Sequence, residues 1–367
     1  MSEARVVVIG GGIAGLATAW RLALLGARPC VLEREPLFFS HASGRNAAIF
    51  REVDGDPTAA QLARRSRVLL GQLDSAVPLL SPTRAVYLGD PARLGRLDEV
   101  ARNAGVACDW LDAAATRELV PLVSGGHREA GLVFPGDGVL DVHAVAGALV
   151  RAAVHHGAEL RTRAPVRGLE VGSGQIEGVR LNSGEVLAAT HVVVAAGAWT
   201  AELGADAGLP LAIEPRRRHL ALLVAKDRAA PRPGPVVWRL GDEQVYFRPE
   251  SGGYLASPCD EAPWAPCVPP TEPDALVQLG ERLARLAPGL AEFSVKQHWA
   301  CLRSFARDGG LVAGRDPRVR GLTWVAGLGG RGMSCGVGLG EVAAAAALGV
   351  PHPFSEALSV ARLVAAA

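Results

Sequence analysis

The chain has 367 residues, with 38 basic and 37 acidic side chains and a formal charge of +1. No basic run stands out, which argues against nucleic acid as a partner. Six cysteines at 30, 108, 259, 267, 301 and 335 form no C-x-x-C pair, so neither a disulfide frame nor a metal site is expected. No charge-free apolar run approaches the ~18 residues of a transmembrane helix.

The first element is the apolar run Val6-Val7-Val8-Ile9, read as a strand covered on both faces. It leads into Gly10-Gly11-Gly12-Ile13-Ala14-Gly15, a G-x-G-x-x-G turn. Gly10 allows the tight turn, Gly12 a close approach to a pyrophosphate, and Gly15 close packing of helix on strand. The helix N-terminus then directs partial positive charge at the phosphates. Apolar residues at Ile13, Leu16, Ala17, Trp20 and Leu24 predict that helix, with Gly26 as its stop. A second strand, Cys30-Val31-Leu32, ends at Glu33, 18 residues past Gly15. A carboxylate there bonds the ribose hydroxyls of an adenosine. A ligand-free Gly-rich turn is the competing reading, and the strand, helix, second strand and acid together outweigh it. The strand begins within five residues of Met1. A cleaved leader would remove it, so a reducing, cytoplasmic setting is expected.

Residues 57–80 read as helix, 85–88 as strand, and 94–104 and 142–156 as helices. A meander follows at 166–171, 176–181 and 186–188, with Gly-rich turns at 172–174 and 182–184. It ends in the strand 191–196, closed by Gly197-Ala198-Trp199. From 213 to 305 the strands are longer. Residues 258–273 are proline-rich and read as a surface loop. The alanine-rich stretch from 342 to 348 reads as part of a buried C-terminal helix. These elements predict an α/β protein: a discontinuous, Rossmann-like cofactor domain (1–80, 140–212 and 306–367) with an inserted α+β substrate domain on a mainly antiparallel sheet (81–139 and 213–305).

A second match, Gly327-Leu328-Gly329-Gly330-Arg331-Gly332, follows the strand Leu322-Thr323-Trp324-Val325-Ala326. Only 35 residues remain beyond it, and Val350 and Pro351 stand where an acid is needed. It therefore reads as a second contact to the same cofactor. Its backbone N–H groups would face the N1/C2=O edge of a flavin and stabilise negative charge there.

Two arginines mark the other end. Strand alternation puts Arg218 on one face with Leu220, Leu222 and Val224, and Arg303 with Cys301 and Phe305. A guanidinium on an apolar face needs an anion. A substrate carboxylate, bound bidentately, is the candidate. A protein carboxylate is the alternative, and Arg216 and Arg217 compete with Arg218.

The segments GGGIAG, Leu32-Glu33-Arg34-Glu35, Ser43-Gly44-Arg45-Asn46-Ala47-Ala48, Ala195-Ala196-Gly197-Ala198-Trp199, Leu302-Arg303-Ser304-Phe305 and GGRGM resemble the D-amino-acid oxidase superfamily of FAD-dependent oxidoreductases. Pro215-Arg216-Arg217-Arg218, Val245-Tyr246-Phe247-Arg248-Pro249 and the run from His298 to Gly309 are similar to D-arginine dehydrogenase-type enzymes, with glycine and sarcosine oxidases also close. The resemblance implies an FAD lying extended over Gly10, Gly12, Ile13, Ala14 and Gly15, with its ribose on Glu33 and Arg34 beside it. Ser43, Gly44, Arg45, Asn46, Ala47 and Ala48 would touch pyrophosphate and flavin, Asn46 replacing the family's serine as a donor. Val166, Ala196, Gly197 and Trp199 would line the dinucleotide, and Gly329, Gly330, Arg331, Gly332, Met333 and Ser334 the flavin.

Arg218, Tyr246 and Arg303 would bind the amino-acid carboxylate. The implied reaction is hydride transfer from Cα to flavin N5, with no essential base. The imine then hydrolyses to a 2-oxo acid and ammonia, and the electrons pass to oxygen or another acceptor such as a quinone. Glycine/sarcosine-type secondary-amine oxidation and a non-catalytic flavin-binding subunit are the alternatives.

Ile49 and Asp54 stand where the arginine dehydrogenase has a histidine and a lid tyrosine, and its guanidinium-binding glutamate falls near Ala85. A neutral or apolar substrate is therefore expected, unless Asp54 or Asp90 holds a basic group. Cys301 reads as a small buried residue, with covalent flavin attachment as the alternative.

Overall fold

The computed structural model describes residues 5–123, 130–225, 233–290 and 292–364. Val6–Ile9 is buried at every position and pairs in parallel with Pro29–Leu32 and His191–Val194. Leu322–Ala326 and Glu159–Arg161 extend this sheet in parallel on its two sides, and Val312–Arg315 closes it as an antiparallel edge. Val6–Ile9, Pro29–Leu32 and Leu322–Ala326 are buried at every position and share one continuous apolar character, whereas the edge strand Glu159–Arg161 is exposed or half-buried.

The helix Ile13–Leu24 lies on this sheet and packs against the last long helix, Gly332–Leu348. Glycines set their spacing: a Cβ on Gly340 would sit 2.6 Å from Ala17 Cβ, and one on Gly336 2.8 Å from Ile13 Cγ2. Gly332–Leu348 is buried on nearly every side, as its alanine-rich sequence predicts. Its one acid, Glu341, takes Arg65 through two bonds of 2.6 Å and Arg21 at 2.7 Å, so a carboxylate only 9% exposed is paired from both neighbouring helices.

The second large sheet is mainly antiparallel. Its longest pair is Ile213–Val224 against Ser294–Ala306, with Arg218 opposite Cys301 and Arg216 opposite Arg303. A small third sheet joins Ile49–Phe50, Gly138–Leu140 and Leu80–Pro82.

Two expectations change. The helix from Pro57 stops at Leu70, and Leu80 already belongs to the small third sheet. Asp56 and Pro57 fix its start, with Asp56 Oδ1 accepting from Thr58 and Ala59 N–H at 2.9 and 3.1 Å. Gly71, next in the chain, serves as its C-cap. The proline-rich segment 258–273 is not a free surface loop. Ala262–Pro263 pairs with Arg216 and Arg217, and residues 267–269 reach the main cavity.

Asp137 is fully buried between Gly131–Phe134 and Gly138–Leu140. It accepts from Glu52 N–H at 2.8 Å and from the Tyr87 hydroxyl at 3.2 Å. Burial, aided by nearby Glu52, pushes its carboxyl up to about 7. The folded state therefore holds a proton there that the unfolded chain releases near its ordinary value of about 4. Asp137 lowers stability progressively as pH rises through this window, and the effect levels off above about 7. Urea unfolding at about pH 5 and about pH 8 is expected to show a larger loss in the wild type than in Asp137→Asn.

Candidate cofactor and substrate site

A cavity of about 390 Å³ opens where Ile9, Leu32, Ala195 and Ala326 end or follow their strands. This is the edge of a parallel sheet where ligands bind. Gly10, with φ 106°, turns the chain there, and a Cβ would lie 2.4 Å from Ala195 O. A Cβ on Gly15 would sit 1.9 Å from Gly10 O, so only glycine lets the helix start this close to the strand. Gly12, Ile13 and Ala14 face the cavity. A Cβ on Gly12 would meet only Ser43 Oγ, at 3.1 Å. Ser43 Oγ accepts the Ile13 N–H at 3.0 Å. Glu33, 6% exposed, accepts from Gly11 N–H at 2.7 Å and from Glu35 N–H at 2.8 Å, which fixes its carboxylate at the rim. Beside it Arg34 stacks on Trp199 at 4.5 Å, and His41 packs on the same ring at 4.6 Å.

The cavity also reaches Gly329, Gly330, Gly332 and Met333. Gly329 and Gly330 have φ of 51° and 88°. Gly329 donates to Ser304 O at 2.9 Å, and a Cβ on Gly330 would lie 3.3 Å from Arg303 Cδ. The second Gly-rich turn thus lies directly against the arginine expected at the substrate end.

Arg303 and Arg45 both line the cavity, and neither has a carboxylate partner among the described residues. The Nε of each is buried without a hydrogen-bond partner. Such donors call for an anion from outside the chain. Tyr246, 2% exposed, stacks on Trp238 at 4.5 Å. Burial pushes its phenol above the ordinary value, against the pull of Arg303 and Arg218. Tyr246 and Cys301 belong with Ala47 to an apolar cluster, with Ile49, Trp238 and Trp299 packed against it.

Several expected contacts are reassigned. Arg218 donates to Asp260 O at 2.7 Å and pairs with Glu261. Arg217 stacks on Trp264 at 3.9 Å and pairs with Glu272 at 2.9 Å. His219 holds Asp260 through Nδ1 at 2.7 Å and accepts from Glu272 N–H through Nε2 at 2.9 Å. The basic run therefore fastens the proline-rich segment, and the protein carboxylate takes the place proposed for a substrate at Arg218. Asn46 is no free donor, because Nδ2 bonds Ala42 O and Ser43 O at 3.0 and 2.7 Å and Oδ1 takes Ala48 N–H at 2.6 Å.

Gly44, Ala47 and Ala48 are not among the residues that line the cavity. Ser334 Oγ accepts Arg51 N–H at 2.8 Å, and Arg331 turns its guanidinium away to Asp54, Asp56 and Gly309 O. Val166, Ala196, Gly197 and Trp199 do line the cavity, as does Cys301.

Sequence reasoning passed over Arg51 and Trp238. Arg51 stacks on the Trp238 ring at 4.2 Å and lies 3.7 Å from Asp54. It is close enough to Arg303 to oppose its charge. The mixed run Arg51-Glu52-Val53-Asp54 reads as a solvated loop, and nothing in its pattern signals a buried guanidinium.

The glycine cradle, the fixed Glu33 carboxylate and the unpartnered Arg45 suit a dinucleotide, and the turn at Gly329–Gly330 suits an isoalloxazine edge. The family model for FAD dependent oxidoreductases, DAO, matches residues 5–346. The chain belongs to that family, and FAD is its cofactor.

It is 30% identical to the bifunctional protein ThiO/ThiG of Trichormus variabilis over 83% of this chain and 46% of that protein. It is 26% identical to glycine oxidase of Geobacillus kaustophilus over 88% of this chain and 87% of that protein. The crystal structure of L-proline dehydrogenase from P. horikoshii shares the fold, with a TM-score of 0.88 at 23% identity over 98% and 97% of the two chains. The chain spans about half the length of the first curated relatives it matches. Among the described residues no helix is long and apolar enough to cross a membrane.

Two outcomes follow for Arg218 and Cys301. Arg218→Met is expected to cost about 1 kcal/mol of stability, since Glu261 is 40% exposed and can be rehydrated. It should change the KM for a carboxylate substrate far less than Arg303→Met does. Cys301 sits in an apolar cluster and is 2% exposed, so acid precipitation should leave a colourless pellet under a yellow supernatant.

Proposed function

We propose that the chain oxidises a D-amino acid with a neutral or apolar side chain, releasing a 2-oxo acid and ammonia. Arg303 carries this reading. It is a largely buried guanidinium with an orphaned Nε and no protein anion, set beside the turn that faces the flavin. A substrate carboxylate supplies the missing partner, worth about 1.5–3 kcal/mol per charge-assisted bond.

FAD, when bound, supplies the hydride acceptor. The chain's own residues orient and enclose. Arg303 fixes the carboxylate. Cys301 beside it lines the cavity and belongs to the apolar cluster in which Tyr246 and Trp238, outside the lining, stack on each other. Holding Cα at a set distance from the acceptor is the catalytic contribution, and a neutral amine needs no side-chain base.

The acids that could receive a basic side chain are engaged elsewhere. Asp54 lies between Arg51 and Arg331, and Asp90 caps the helix Pro91–Ala104 while pairing with Arg93 at 2.9 Å. Ala85 is a fully buried strand residue. The match to glycine oxidase along most of both chains favours a second reading, a small amine of the glycine or sarcosine kind.

Anaerobic flavin bleaching across D-, L- and N-methyl amino acids tests both. D-Leu, D-Met or D-Phe should reduce the flavin faster than D-Arg or D-Lys. A tenfold preference for the basic pair would overturn the side-chain assignment, and bleaching by N-methyl substrates alone would select the second reading. Arg303→Met should lower kcat/KM for the best substrate by roughly 10²-fold, one charge-assisted contact's worth.

A further inference from the structure

The proline-rich segment 258–273 is held on two sides and free between them. On the first side Arg282 donates to Pro258 O, Arg218 donates to Asp260 O, and Ala262–Pro263 pairs with Arg216 and Arg217. Trp264 N–H closes that side on Pro215 O at 3.0 Å. On the second side Arg217 reaches Pro270 O at 3.3 Å and the Glu272 carboxylate at 2.9 Å. Residues 265–269 form an arch from one side to the other. Among the described residues the arch makes no hydrogen bond, and its Pro266 and Pro269 have no N–H to donate.

The arch borders the ligand space. Cys267, Val268 and Pro269 line the cavity, and Val268 is 54% exposed, which puts the arch at the mouth. Its anchor lies close to the substrate end. Pro263 stands opposite Arg216, and Arg216 stands opposite Arg303, so two strand spacings, about 10 Å, separate the outer pair.

His219 joins the two sides. Its ring is 1% exposed, with Nδ1 2.7 Å from Asp260 Oδ2 and Nε2 accepting the Glu272 N–H at 2.9 Å. Only the neutral ring with its proton on Nδ1 makes both bonds. A second proton, on Nε2, would point at the Glu272 N–H and break that bond. In the segment, Asp260, Glu261 and Glu272 favour this proton. Arg217 and Arg218 on the same strand oppose it, as does Arg282 on the helix Pro273–Leu286. The neighbouring strand sets uncharged Ala300 opposite His219, with His298 two residues along.

We propose that the arch is a lid on the cavity and that His219 is its pH-sensitive latch. With the ring neutral the latch is closed. With the ring doubly protonated the second side loses the Glu272 N–H bond, and Arg217 holds it alone. Glu272 follows Pro269 by three residues, so this release frees the end of the arch that lines the cavity. The proposal requires only that ligands use this cavity, and its failure would leave the substrate reading untouched.

The test is amide hydrogen exchange of the FAD-loaded protein, read on peptides covering 264–272 and corrected for the intrinsic pH dependence of exchange. Between about pH 8 and about pH 5.5, where histidine changes charge, protection of these peptides should fall about tenfold, as for one buried hydrogen bond. The helix Gly332–Leu348 should keep its protection. His219→Gln gains no proton and should show no such fall. Asp260→Asn removes the carboxylate that favours the charged ring and should move the fall to lower pH, and it carries the comparison should His219→Gln fail to fold. Constant wild-type protection overturns the proposal. So does a fall retained in His219→Gln, a fall at unchanged pH in Asp260→Asn, or an equal loss across Gly332–Leu348.

Discussion

Close contact between backbone and backbone at the first turn is the constraint on which the rest of the structure depends. With a side chain at Gly10 or Gly15 the helix could not begin against its own strand, because the added carbon would overlap Ala195 O or Gly10 O. That approach sets the helix N-terminus at the cavity. It also sets the face on which Gly332–Leu348 packs, through Gly336 and Gly340. The N-terminal and C-terminal parts of the chain meet there, so the two Gly-rich turns serve one cavity.

Charge is distributed by a second rule. Most of the arginines near the site hold protein together. Arg65 and Arg21 neutralise the buried Glu341, Arg217 and Arg218 fasten the proline-rich segment, and Arg331 bridges two helix starts. Arg303 and Arg45 differ, because the buried Nε of each has no hydrogen-bond partner and no ion pair with a described carboxylate is found for either. Desolvation makes an uncompensated guanidinium costly.

Much of the fold was legible because its cues are local. Uniformly apolar strands, period-3.6 helices and glycine turns each report on a few neighbouring residues. The early end of the helix Pro57–Leu70 escaped, since an apolar stretch beyond Gly71 carries the same pattern whether it coils or enters a small sheet. In the site, alternation placed Arg218 and Arg303 on their strands but could not say which carboxylates lay opposite. Glu261 is 43 residues from Arg218, and nothing in the intervening proline-rich sequence shows that it folds back. Arg51 was hidden for a related reason, because its charged neighbours resemble a solvated loop.

The sequence alone determined the cofactor turn, the acid at the end of the second strand, the alternation of two sheet types and the likeness to a flavin-dependent family. Each depends on backbone conformation and short-range spacing, which a linear pattern encodes directly. Tertiary structure alone decided that Arg303 and Arg45 meet no described carboxylate, that Asn46 and Arg331 brace loops, and that Arg51 stacks on Trp238 beside Asp54. Those outcomes depend on pairing charges across long sequence separations, where the balance between desolvation and a partner's approach is set only once the sheets have packed.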